Sequence, residues 1–205
     1  MSKRHRLYGS RIDGMLDDFE MRYSVAAYVL SALLSAVLLP LSIYVGFMRG
    51  ANPGSHMWFS VFIVLGTPFF IVLTAVAILG FAKLALTRSN KLLGYSVVLL
   101  ILHELIGEGL TAFAEILRLM GSQAAESVEM FTYLFIAVPG GVLGILFGVG
   151  VYRLGKDRLF KVAGALNVLV GLLFASIVLT IFGIGLNVFV MALEAYLLHV
   201  QGRKK

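Results

Sequence analysis

Five long apolar blocks, separated by short charged segments, make up most of this chain of 205 residues. About twenty consecutive apolar residues are enough to cross a hydrocarbon layer of about 30 Å, so each block qualifies as a spanning helix. A hydrophobic fraction of 60% favours a membrane over a soluble core, since soluble domains hold roughly 45–50%. The longest polar stretch is residues 1–22, too short for a separate soluble domain. The predicted class is all-α, a polytopic membrane helix bundle.

The last block decides the number of spans. Phe160 to Leu198 is apolar for 39 residues apart from Lys161 and Glu194. As one helix it would run about 58 Å at 1.5 Å per residue, nearly twice the hydrocarbon thickness. Phe182-Gly-Ile-Gly-Leu-Asn187 is the expected break, giving spans at 160–182 and 184–200. The other spans are predicted at 23–48 (with a kink at Pro40), 57–82, 92–117 and 130–152.

Charge supports six spans, with both termini in the cytoplasm. In that arrangement 15 of the 17 Lys and Arg fall on cytoplasmic segments, and only Arg49 and Arg118 lie outside. With five spans the basic C-terminus would sit on the other side. The expected organisation is a cytoplasmic segment 1–22, a six-span domain 23–200 and a basic tail 201–205, multi-pass in the cell membrane. Within residues 1–22, Tyr8, Ile12, Met15, Leu16 and Phe19 recur at helical spacing, so an amphipathic helix on the headgroups is predicted. No cleaved signal peptide is expected, because the basic segment is too long for one and no clean cleavage site follows.

The net charge of +6 does not argue for nucleic acid, because the basic residues flank apolar blocks and orient them. The chain has no cysteine, which removes disulfides, thiolate metal sites and a cysteine nucleophile.

The most informative polar residues sit in the third span. His103, Glu104, Glu108 and Glu115 interrupt a segment otherwise apolar enough to cross the bilayer. An ionisable side chain at the bilayer centre costs about 2.5–3.5 kcal/mol on insertion scales, so several in one helix require a reason. Glu104, Glu108, Thr111 and Glu115 fall on one narrow face, and Arg118 continues it. With the N-terminus inside, Glu104 lies near mid-membrane, Glu108 about 6 Å further out and Glu115 near the outer interface.

Other polar positions support this stripe. Ser24, Ser31, Ser35 and Ser42 share a face of the first span, suited to a close helix contact. Asn167 marks the fifth span, and Asn187, Met191 and Glu194 share a face of the sixth. Gly140, Gly144 and Gly148 repeat every four residues in the fourth, a pattern for close helix packing.

His103-Glu104 begins like the zinc motif H-E-x-x-H, but Gly107 stands where the second histidine is needed. His5, His56 and His199 lie in other segments. No nucleophile elbow and no phosphate-binding loop is present. No metal or cofactor is therefore predicted, and a metal-dependent intramembrane hydrolase is the weakest of three hypotheses.

Proton or cation translocation, or proton-coupled transport of a small cationic or polar solute, fits the stripe best. Carboxyl groups one turn apart offer a cation successive stations. Glu104 and Glu108 would bind, Glu115 would form an outer vestibule and His103 would be a proton partner. The alternative is a non-enzymatic accessory or assembly subunit, whose stripe docks against a partner in a membrane complex or homo-oligomer.

Overall fold

The protein was analysed as a computed structural model, which describes residues 19–51 and 57–203. These residues form six helices: α1 Met21–Ala51, α2 Met57–Thr87, α3 Lys91–Leu119, α4 Ala124–Tyr152, α5 Arg158–Ala175 and α6 Thr180–Gly202. All six are long and apolar enough to cross a membrane, and no strand occurs among the described residues. The amphipathic helix predicted over residues 1–22 lies outside the described residues up to 18, as do His5, His56, Lys204 and Lys205.

Short connections turn the chain back after each span. Asn90 caps α3 by accepting from the Leu93 amide at 3.1 Å, and its Nδ2 donates to the Gly150 carbonyl of α4 at 2.8 Å. Asp157 caps α5 in the same way, accepting from the Leu159 amide at 3.0 Å. Each helix packs on its successor and α6 returns to α1, so the six form a closed up-and-down ring. Residue pairs across the closing contact run antiparallel: Gly202 approaches Met21, and Glu194 lies beside Tyr28.

The two ends of the ring differ. Lys83, Arg88, Lys91, Arg153, Lys156, Arg158, Lys161 and Arg203 lie at or near the helix ends and turns of one end, called the basic end here. Arg49, Glu115, Arg118, Glu126 and Glu129 lie at the other. The close-packed core belongs to the basic half: Phe81, Leu93, Val97, Val151, Phe160, Leu197 and Leu198 are buried there. Phe81 meets Tyr28 and Phe147 edge-on, with ring centroids at 6.0 and 5.1 Å. Large apolar side chains such as Phe47, Leu65 and Phe189 cover the outside, where acyl chains would contact them.

One sequence expectation needs correction. The last apolar block breaks at Ser176–Leu179, ahead of the glycine-containing stretch, so Gly183 and Gly185 are inside α6. Gly183 faces Leu173 and Phe174 of α5, a packing position. The turn is made instead by Ser176, whose Oγ accepts from the Leu179 amide at 3.1 Å, and by Ile177 at φ 58°. A β-branched residue with positive φ is a strained choice for a turn. Its carbonyl is satisfied by the Tyr133 hydroxyl of α4, which donates at 2.9 Å. Pro40 lies inside α1, which continues past it, just as Pro68 and Pro139 lie inside α2 and α4.

With the break at 176–179, α5 is 18 residues long, about 27 Å, whereas α4 has 29 residues and runs about 43 Å. The α5–α6 hairpin therefore stops well short of α4 at the acidic end. Its exposed tip of Val178, Leu179, Ile181 and Phe182 is apolar enough for the hydrocarbon.

Glycines set the contact between α4 and α5. A Cβ on Gly148 would lie 2.7 Å from the Gly164 carbonyl oxygen, and one on Gly164 would lie 2.5 Å from the Tyr152 amide nitrogen. Gly141 and Gly171 abut each other's backbones in the same way, and Gly144 faces the Gly171 Cα. Gly140 does not belong to this seam: its hydrogen approaches the His103 ring of α3. Gly148→Ala should therefore lower the unfolding free energy in detergent by about 1–3 kcal/mol, the usual cost of overpacking. Gly46→Ala, with open space around it, should leave a thermal melt unchanged or raise it slightly.

Candidate functional site

A cavity of about 170 Å³ lies between the helices of the ring, and all six contribute to its wall. The polar side chains come from α1 (Tyr28, Ser31), α2 (Thr74), α3 (His103, Glu104), α5 (Asn167) and α6 (Asn187, Glu194). Ile78, Leu100, Ile136, Phe147, Val170 and Phe174 supply apolar surface. Toward the basic end the cavity meets the Tyr28, Phe81 and Phe147 cluster, which packs that half of the ring closed.

His103 is held rigidly. Its ring stacks on Phe135 at 4.9 Å between centroids and 14° between planes, and Gly140 leaves room for its edge. Nε2 lies 3.1 Å from the Phe135 carbonyl oxygen. A carbonyl only accepts, so Nε2 carries the proton, and in the neutral ring Nδ1 is an acceptor. Nδ1 has no hydrogen-bond partner among the described residues, and His103 is 6% exposed. The Ser31 hydroxyl, also buried on the cavity wall, has none either.

Glu194, 4% exposed, is partly satisfied. Asn167 Nδ2 donates to its Oε1 at 2.8 Å and to the Ala163 carbonyl at 3.1 Å, and Tyr28 is its other hydrogen-bonding neighbour. Glu104 lines the same space and makes no hydrogen bond with the described residues. The cavity thus holds two carboxyl groups and no lysine or arginine.

The acidic stripe continues from Glu104 toward the other end. Glu108 lies one turn along the same face, partly buried and outside the cavity wall. Thr111 turns its hydroxyl back to the Gly107 carbonyl at 3.0 Å. Glu115 sits in a separate ionic cluster. Arg118 Nη1 lies 2.6 Å and Arg49 Nη1 3.0 Å from Glu115 Oε1, and Ser60 Oγ donates to Oε2 at 2.5 Å. Arg49 Nη2 also donates to Ser60 at 2.8 Å, and Arg118 reaches Glu129 of α4. This cluster ties α1, α2, α3 and α4 together near the acidic end.

The candidate residues thus divide into three groups. His103, Glu104, Ser31, Asn167, Asn187 and Glu194 share the cavity, along with Met191. Glu115 and Arg118 are engaged in the ionic cluster, with Glu108 and Thr111 between the two. Ser35 is partly buried, Ser42 is exposed, and only Ser24 makes the close contact expected of the serine face, donating to the Val76 carbonyl at 2.6 Å. Among the described residues, no group of three His, Asp or Glu is placed to hold a metal ion. Tyr28, Ser60 and Arg49 were missed by the sequence. Arg49 had one available signal, as one of two basic residues outside the segments predicted to be cytoplasmic.

Fold and site define the class: a multi-pass integral membrane protein with a polar cavity between its helices. No family model matches the chain, and no curated protein or solved structure is similar to it.

Breaking a buried pair by removing one partner costs about 3–5 kcal/mol. Glu115→Gln, which leaves Arg49 without its carboxylate, should therefore destabilise the bundle by about 3 kcal/mol in chemical or thermal unfolding. Glu126→Gln, at an exposed position on α4, should stay within about 0.5 kcal/mol of the parent.

Proposed function

We propose that the protein moves protons or small cations, or couples a proton to a small cationic or polar solute, through the cavity between its helices. It would do so in the cell membrane, with its basic end toward the cytoplasm. The observation that carries this reading is the convergence of Glu104 from α3 and Glu194 from α6 on one cavity without a basic side chain. Carboxyl groups withdrawn from water are costly to keep and suit proton exchange and cation binding.

Glu108 supplies a further station. It lies about 6 Å along α3 from Glu104, toward the acidic end, and remains partly accessible. The stripe and the cavity thus form a graded acidic route from mid-membrane outward. The aromatic cluster of Tyr28, Phe81 and Phe147 blocks the other direction in this conformation. Glu115, neutralised by two arginines, holds the helices around the route.

The test is flux in proteoliposomes under an imposed proton or cation gradient. Wild type should conduct, and Glu104→Gln and Glu194→Gln should each lower the rate about tenfold or more, as expected when a charge in a binding station is lost. Glu126→Gln should not change it. Flux that is unchanged in both cavity variants overturns the proposal. So does the absence of flux in wild type together with stoichiometric recovery of a membrane partner, which would make the protein an assembly subunit.

A further inference from the structure

The cavity has a hydrogen-bonding bias that the transport reading alone does not require. Glu104 and Glu194 are acceptors when ionised, and His103 Nδ1 is an acceptor in the neutral ring whose Nε2 donates to Phe135; the Asn167 amide is already spent on Glu194 and Ala163 and the Tyr28 hydroxyl on Glu194, while the Asn187 amide and the Thr74 hydroxyl can donate as well as accept. Ser31 Oγ is free to accept or donate. The charged groups of the wall are thus carboxyl groups alone, and their complement is a cation, one that carries several N–H or O–H donors for the lone pairs left free.

Size and apolar surface narrow the class further. At about 170 Å³ the cavity is close to the engineered protein cavities of about 150 Å³ that take up benzene, so a solute of about six heavy atoms fits. Ile78, Leu100, Val170 and Phe174 give such a solute an apolar wall. A bare metal ion is poorly served, because among the described residues no three His, Asp or Glu side chains stand close enough together to ligate one at about 2.0–2.6 Å, whereas charge-assisted hydrogen bonds of about 2.7–2.9 Å reach acceptors that are further apart.

We infer that the cavity binds a small primary ammonium ion with a short apolar tail, its charge set against Glu104 and Glu194 and one N–H taken by His103 Nδ1. This rests on the transport reading for its purpose, though binding is separable from flux. Three N–H donors on one positive centre match two carboxyl groups and a buried imidazole acceptor. The tail lies against the aliphatic and aromatic wall. Gly140 has a part in this, because any side chain there would displace the His103 ring.

Equilibrium binding to the purified full-length protein in detergent tests the inference, by calorimetry or thermal shift, with n-propylammonium, tetramethylammonium, potassium and n-propanol as probes. Propylammonium should bind saturably and about tenfold or more tighter than tetramethylammonium, which has the charge but no N–H, since hydrogen bonds to charged groups contribute more than neutral ones. Glu104→Gln and Glu194→Gln should each weaken propylammonium about tenfold. His103→Phe, which keeps the aromatic stack, should weaken propylammonium and leave tetramethylammonium unchanged.

Equal binding of the two ammonium ions overturns the inference, as does tighter binding of potassium or of neutral propanol. Should the glutamine variants fail to fold, the probe series on wild type decides alone. Propylammonium binding without flux in liposomes would remove the transport reading and keep this site. Proton flux without propylammonium binding would do the reverse.

Discussion

A carboxyl group within a bilayer must find its partners inside the protein, and the rest of this structure follows from how that is done. The insertion cost of about 2.5–3.5 kcal/mol per charged residue at the centre is not recovered by an average interhelical hydrogen bond of about 0.6 kcal/mol. Glu115 meets the problem with two arginines and a serine hydroxyl, which is full neutralisation. Glu194 has an amide and a phenol, which orient it without cancelling a charge. Glu104 has only the cavity. The three carboxyl groups thus form a series of decreasing compensation, and the least compensated stand where the ring has space.

That space arises from unequal packing. In the basic half, glycines bring α4 and α5 into backbone contact, and aromatic rings fill the middle of the ring. Toward the acidic end α5 and α6 stop early, and the remaining helices are joined by the Glu115 cluster instead of an apolar core. A close-packed half cannot yield gradually, because interiors at crystal-like density respond to strain as units. The cavity lies at the junction between the tightly packed half and the half held by ionic contacts.

Much of this was legible in the sequence. The six spans followed from block length and charge, and the order of Glu104, Glu108 and Glu115 followed from the helical period alone, since one face of a straight helix is a local property. The division of that face was not legible. Whether Glu115 joins the cavity or an ion pair depends on where Arg49 arrives from α1, sixty-six residues away. The glycine seam was half visible: Gly144 and Gly148 stood out by spacing, whereas Gly164 and Gly171 lie seven apart on α5 and carry no four-residue repeat. The α5–α6 break was misplaced because glycine was given the turn. The chain turns instead at Ser176 and Ile177, where a serine side chain and the distant Tyr133 hydroxyl take up the freed backbone groups.

The distribution of basic residues bears on the same question as the carboxyl groups. Among the described residues no Lys or Arg reaches the cavity wall, although Arg49 and Arg118 reach Glu115 and Lys83 reaches the Phe19 carbonyl at 2.6 Å. A protein built only to hold its helices together could neutralise Glu104 and Glu194 as it neutralises Glu115. The other wall positions are instead apolar or uncharged polar side chains, and the histidine among them is fixed by its own backbone contact. Two carboxyl groups and an imidazole therefore share the cavity with hydroxyl, amide and apolar side chains, and no basic side chain among the described residues stands on the wall with them.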